Sequence, residues 1–277
     1  MTLAACGGQP ASPEPPSDPT DFFYREAWQE NITIPPIRWH EQAPGRYFET
    51  TLRPTEMNAS LPTSYLSRIT RNYQPWAKEI YDVAYLGFDL DRLTALPPDR
   101  SFGWGTREEA KPDEVLIQLG GYEPSSYFTP ERITNIWDGE ITETDDHVII
   151  TSERFPGGRS TMQYFFNQPS KGDLDGNPVI VDCASDWKCT ADLVVPQEFA
   201  GHSPLYLGKN KPYRGTTGAR LRVTFHPDRI DDWEEVRRKA ACFAALSIED
   251  LELASIAPVD NTECNDVRSA IERSIAS

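Results

Sequence analysis

Long apolar runs and basic residues are both scarce in this 277-residue sequence. No run approaches the roughly 18 consecutive apolar residues that a membrane-spanning helix needs, so we expect no such helix. Lys and Arg number 27 against 43 Asp and Glu, which gives a formal net charge of −16. Because a phosphate backbone repels a chain of this charge, we expect no nucleic-acid partner.

Recognisable catalytic and metal-binding motifs are also missing. None of the four histidines lies at ligand spacing from a cysteine and there is no C-x-x-C, so we expect no metal or other cofactor. No phosphate-binding glycine loop occurs. Residues 201–205 (Gly-His-Ser-Pro-Leu) begin like a serine nucleophile elbow, but Pro204 has no N–H for the oxyanion and Leu205 replaces the glycine of the turn. We therefore expect no catalytic residue.

Carboxylates are the remaining candidates for acid–base chemistry. Three pairs lie close in sequence: Asp89 with Asp91, Asp145 with Asp146, and Glu234 with Glu235. In a chain with 43 acidic residues such pairs are expected by chance, and acids in the first turn of a helix also complement its dipole. Residues 173–177 (Asp-Leu-Asp-Gly-Asn) lack EF-hand spacing and fit an ordinary turn equally well.

The N-terminal segment matches a bacterial lipobox. Residues 3–5 (Leu-Ala-Ala) precede Cys6, and residues 7–21 are rich in Gly, Pro and Ser, as a flexible tether would be. The charged and apolar regions of a signal peptide do not precede the box, so we expect a shortened sequence or a start codon assigned too far downstream. We expect a lipid on Cys6 to anchor the protein, and Gly7 favours the outer membrane, facing the periplasm.

The other cysteines form an even set: Cys183, Cys189, Cys242 and Cys264. Of three pairings, local sequence favours one. Strand-like residues 179–183 and 189–195 flank a short turn, so Cys183 and Cys189 would face each other across a hairpin. A Cys242–Cys264 bridge would join two C-terminal helices. Disulfides indicate an oxidising compartment, and reduced cytosolic thiols are the alternative.

The apolar pattern predicts an α+β fold, with helices packed on an antiparallel β-sheet stabilised by disulfides. Strands are expected at 37–40, 46–52, 81–88, 114–119, 147–151, 161–166, the cysteine hairpin and 220–225. A helix beginning at Ser64 is expected because Tyr65, Ile69 and Tyr73 recur at a spacing of four, and Pro75 would end it.

Two more helices are expected near the C-terminus. Asp231 or Asp232 can cap the first. Its apolar stripe comprises Trp233, Val236, Ala240, Phe243 and Ala244. The second carries Val267, Ile271 and Ile275 at a spacing of four.

The Pro- and Gly-punctuated stretch 97–112 is the best candidate for a domain boundary. The predicted organisation is a lipobox remnant and tether (1–21), an N-terminal α+β region (22–112) and a β-rich domain ending in two helices (113–277). The last two parts could also form one continuous domain.

The order of parts near the C-terminus resembles that of a known family. A cysteine-closed hairpin at Cys183 and Cys189, a strand at 221–225 that ends in Phe, and a Trp-containing helix at 231–246 resemble immunity lipoproteins that neutralise type VI secretion phospholipase effectors. The resemblance implies a periplasm-facing protein that binds a cognate toxin and blocks its substrate access without catalysis. It assigns no binding residue. The alternatives are an assembly or structural lipoprotein of an envelope complex and a glycan or lipid hydrolase.

Overall fold

The computed structural model describes residues 37–38, 47–53, 57–74, 79–98, 100, 108–124, 140–143, 147–153, 160–166, 179–184, 188–194, 217–249 and 262–276. Cys6, the tether, the Asp145–Asp146 pair and the segments 173–177 and 201–205 lie outside these residues, so the expectations for them stay predictions. The strand expected at 37–40 is wrong for Ile37 and Arg38, the two residues described there, which belong to no strand.

The described residues include eleven β-strands, all paired in antiparallel fashion. They are β1 (Tyr47–Leu52), β2 (Met57–Pro62), β3 (Leu66–Gln74), β4 (Glu79–Asp89), β5 (Glu114–Pro124), β6 (Glu140–Glu143), β7 (His147–Glu153), β8 (Ser160–Phe166), β9 (Val179–Ala184), β10 (Lys188–Val194) and β11 (Thr217–Phe225). β1 and β2 form a hairpin, and the other nine strands form one sheet in the order β3-β4-β5-β11-β10-β9-β8-β7-β6. The remaining expected strands all coincide with members of this set.

A short 3₁₀ turn, Pro227–Arg229, leads from β11 into the helix α1, Trp233–Ser247, and α2 covers Asn265–Ala276. The predicted stripe of α1 is confirmed, since all five of its residues are buried. Asp232 occupies the N-cap position of α1, but its side chain makes no capping hydrogen bond and accepts one from Arg229 instead. In α2, Val267 and Ile271 are buried as expected. The predicted α+β class is confirmed.

The helix predicted to begin at Ser64 is wrong, because residues 66–74 form the edge strand β3. The register of β3 against β4 shifts between Leu66 and Arg68, which marks a β-bulge. One extra residue in a strand returns side chains three positions apart to the same face, so Leu66 and Ile69 are both buried. The predicted spacing of four is ambiguous in itself, because residues four positions apart lie on one face of a regular strand as well as on one face of a helix.

One face of the large sheet packs against α1 and is called the helix face here; the opposite face is the outer face. Phe88 of β4 stacks on Phe243 of α1 with ring centroids 4.5 Å apart, and Phe225 of β11 stacks on Trp233 at 5.5 Å. The β1–β2 hairpin extends this layer, because Ala59 forms a bridge with the residue that follows α1. Full burial of such side chains stabilises the fold by about 1.5–3 kcal/mol each.

Both predicted disulfides are present. Cys183 and Cys189 lie directly opposite each other on β9 and β10, and Cys242 of α1 is bonded to Cys264, which precedes α2. β4 and β5, on either side of residues 97–112, pair directly with each other, so the sheet continues across the predicted boundary. The division into domains stays a prediction. No helix in the described segments is long and apolar enough to cross a membrane.

Candidate binding face

The first carboxylate pair of the sequence, Asp89 and Asp91, is used to build a turn. Asp89 ends β4 and accepts hydrogen bonds from the backbone N–H groups of Asp91 (3.0 Å) and Arg92 (2.7 Å). Asp91 forms an ion pair of 2.5 Å with Arg229, which also donates to Asp232 at 2.9 Å. These bonds tie the turn after β4 to the start of α1.

The second described pair lies in the first turn of α1. Glu235 forms an ion pair with Lys239 at 2.7 Å, and the buried Lys239 ammonium also donates to the carbonyl oxygen of Leu90 at 2.6 Å. Glu234 is exposed and lies at the positive end of the helix dipole. Across the described segments, no group of three or more His, Cys, Asp and Glu side chains could hold a metal ion.

A row of polar side chains crosses the outer face of the sheet. Register places Arg68 of β3 opposite Tyr85 of β4, Tyr85 opposite Gln118 of β5, Gln118 opposite Arg222 of β11, and Arg222 opposite Asp192 of β10. Cross-strand neighbours point to the same side of a sheet, so these five residues, here called the polar row, share one face. At a strand spacing of about 4.8 Å the row is about 19 Å long.

One end of the polar row is an ion pair between Arg222 and Asp192. The Arg222 guanidinium donates two hydrogen bonds of 2.6 Å to the two carboxylate oxygens of Asp192. This fork geometry is the strongest arrangement of the two groups. The arginine side chain is only 10% exposed, whereas the carboxylate is 40% exposed. Gln118, next in the row, is buried.

The other end of the polar row carries a cation, Arg68, that contacts an aromatic ring. The guanidinium carbon of Arg68 lies 4.0 Å from the centroid of the Tyr85 ring, which is a cation–π contact. Both side chains are partly exposed. The Ser67 hydroxyl, inside the bulge of β3, donates to the carbonyl oxygen of Tyr85 at 3.2 Å and so holds Arg68 opposite that ring. Among the described residues Arg68 has no acidic partner.

The Tyr85 ring is supported from the side. It packs, with Leu96, against a small apolar cluster on the outer face that contains buried Leu116. The segment after β4 that contains Leu96 is held in place by Arg100, which donates a hydrogen bond of 2.8 Å to the Glu114 carboxylate. Burial alone raises the pKa of Glu114, but the hydrogen bonds to its carboxylate outweigh burial and lower the pKa below its ordinary value. Glu114 therefore stays charged and keeps this segment in place.

The sequence predicts none of the polar row and assigns no partner-binding residue. Arg68 lies inside the helix that is wrongly predicted, and Tyr85, Gln118 and Arg222 lie in predicted strands whose outward side the sequence does not identify. A readable signal existed in β11, where Arg222 stands between two buried apolar residues. No family model, curated protein or solved structure matches this chain.

Proposed function

We propose that this protein is a non-catalytic binding protein of the bacterial cell envelope that binds a secreted antibacterial toxin and blocks its active site. The observation that carries the proposal is the polar row, whose partly exposed ends, Arg68 with Tyr85 and Asp192, lie on strands about 19 Å apart. Exposed groups this far apart suit the extended surface of a protein, which buries about 800 Å² per partner in a typical complex. Small substrates are instead enclosed in concave pockets.

The absence of catalysis is supported by the roles of three carboxylates from the predicted pairs. A general acid or base must reach the substrate, either directly or through one water molecule. Asp89 instead caps a turn, Asp91 is bonded to Arg229, and Glu235 is bonded to Lys239. Acids committed in this way stabilise the native turn and helix, so they are poor candidates for proton transfer.

An envelope location is supported by the two disulfides, which persist in oxidising compartments such as the periplasm. We propose that the lipid on Cys6 holds the protein at the outer membrane and that the tether presents the folded part to the periplasm. The net charge of −16 would speed the encounter with a basic region of the toxin.

The test uses the full chain with Cys6→Ser, exported to the periplasm, and the protein encoded by the adjacent gene as the candidate toxin. We expect a stable complex, loss of the toxin's activity at equimolar ratio, and an association rate that falls as salt is raised. A toxin from an unrelated gene pair is the control. Hydrolysis of an ester or glycoside by this protein alone, lost on changing a single carboxylate, would refute the proposal.

A further inference from the structure

We propose that Arg68 is an anchor of this interface and that it binds a carboxylate, an Asp or Glu side chain of the toxin. The inference rests on the proposed function and adds the residue and the chemistry of its partner. Arginine and tyrosine are the residue types that most often dominate binding energy in protein interfaces, and the Arg68–Tyr85 contact supplies both at one place.

Charge pairing distinguishes Arg68 from three other arginines in or beside the same sheet. Arg71 donates to Asp82 at 2.7 Å, Arg100 to Glu114 at 2.8 Å, and Arg222 to Asp192 at 2.6 Å. Each of these guanidinium groups is partly or largely buried and has its own carboxylate. Arg68 is partly buried as well, yet within the described part of the chain only a ring faces it. A carboxylate supplied by a partner protein would give Arg68 the same pairing that these three arginines have.

The contact with Tyr85 is compatible with free donors on Arg68. At a separation of 4.0 Å a guanidinium can lie flat on the ring, and in that arrangement its N–H groups point outward in its own plane. Those N–H groups match the two oxygens of a carboxylate, as they do in the Arg222–Asp192 pair. Arg68 can therefore keep its contact with Tyr85 while it binds the partner.

The position of Arg68 is fixed before the partner arrives. The bulge in β3 sets its register, the Ser67 hydroxyl donates to the backbone carbonyl of Tyr85, and the Tyr85 side chain packs against the same apolar cluster as Leu96. Ordering a long side chain normally reduces affinity, and a pre-organised anchor avoids most of that cost.

A protein carboxylate is favoured over the phosphate of a membrane lipid. A single basic residue holds an anionic bilayer only weakly, and a chain with a net charge of −16 is repelled by such a surface. The net charge of the whole protein causes this repulsion. An ion pair at Arg68 instead requires only one carboxylate at contact distance.

The first experiment compares Arg68→Ala with Arg92→Ala in the exported full chain. Arg92 is an exposed arginine in the turn after β4, so both substitutions lower the net charge by one unit. We expect Arg68→Ala to weaken the dissociation constant for the adjacent-gene toxin about 30-fold, as loss of an interface anchor does. The control should change it less than about twofold. Circular dichroism checks that both variants are folded.

The second experiment identifies the partner group. In Arg68→Lys a carbodiimide can activate a neighbouring carboxylate and couple it to the new amine as an amide, which peptide mass spectrometry locates. We expect one Asp or Glu of the toxin at this position and none with Arg92→Lys. If the toxin binds both alanine variants as tightly as the wild type, the anchor is refuted while the proposed function stands. Absence of any complex refutes both, and a selective loss of binding to anionic phosphatidylglycerol vesicles in Arg68→Ala would replace the carboxylate with a lipid phosphate.

Discussion

The two disulfides close loops of different length, which allows a quantitative prediction for their removal. The cysteines of the hairpin bridge are 6 residues apart, and those of the helix bridge are 22 residues apart. A cross-link stabilises the native state mainly by restricting the unfolded chain, by an amount that grows with the logarithm of the loop length. We expect Cys183→Ala with Cys189→Ala to lower the free energy of unfolding by about 2.2 kcal/mol. Cys242→Ala with Cys264→Ala should lower it by about 3.4 kcal/mol.

The comparison isolates loop length because the two bridges are matched in burial. Cys183 is 1% exposed and the other three cysteines are fully buried. Each double substitution removes two sulfur atoms from a buried site, so the transfer and cavity contributions are similar and largely cancel in the difference. The difference of about 1.2 kcal/mol then reports the entropy of the unfolded chain.

Urea unfolding followed by tryptophan fluorescence measures both double variants against the wild type. Non-reducing peptide mapping of the wild type first checks that the two pairings are those described. The reasoning from loop length would be refuted if both double variants lost the same free energy of unfolding, or if the loss were larger for the hairpin bridge. Free thiols in the native protein would show that the scaffold is not cross-linked as described.

Three further outcomes are expected. Gly120→Ala should lower the free energy of unfolding by about 2 kcal/mol or more, because Gly120 has φ of 95° and an added Cβ would lie 2.6 Å from the carbonyl oxygen of Asp82. If chemical unfolding shows a decrease of less than about 0.5 kcal/mol in the free energy of unfolding, the prediction is contradicted. Glu114 has a lowered pKa in the folded state, so its ion pair stabilises the protein above its ordinary pKa of 4.5 and is lost as pH falls through the lower folded value. Glu114→Gln should therefore flatten the decline of stability as pH falls below about 4.5, and an unchanged slope would contradict the prediction. Cys6→Ser, expressed behind a lipoprotein signal peptide, should move the protein from the membrane fraction to the soluble periplasm; a wild type that is already soluble would contradict the lipobox.

Local patterns predicted those elements whose neighbours are close in sequence. The β9–β10 hairpin was predicted from two apolar segments and a short turn, and the stripe of α1 from the spacing that begins at Trp233. β3 was missed because residues four positions apart share one face in a strand as well as in a helix, so the spacing of Tyr65, Ile69 and Tyr73 does not distinguish the two. The polar row could not be predicted from local spacing. Its members come from segments as far apart as Arg68 and Arg222, and they become neighbours only through the register of five strands.

The register that places Arg68 on the outer face is fixed from the helix face. Asp82 of β4 is fully buried, and its carboxylate accepts hydrogen bonds of 2.7 and 3.0 Å from Arg71 of β3. Its backbone N–H also donates to the carbonyl oxygen of Arg53, which joins the β1–β2 hairpin to the sheet. A slip of β3 by one residue would turn Arg68 toward the core and leave the Asp82 carboxylate without its arginine, with only the backbone N–H of Arg53 at 3.3 Å as a donor. Breaking a buried ion pair in this way costs about 3–5 kcal/mol. The buried ion pair thus selects one register, and that register is the one in which Arg68 lies over Tyr85 and faces outward.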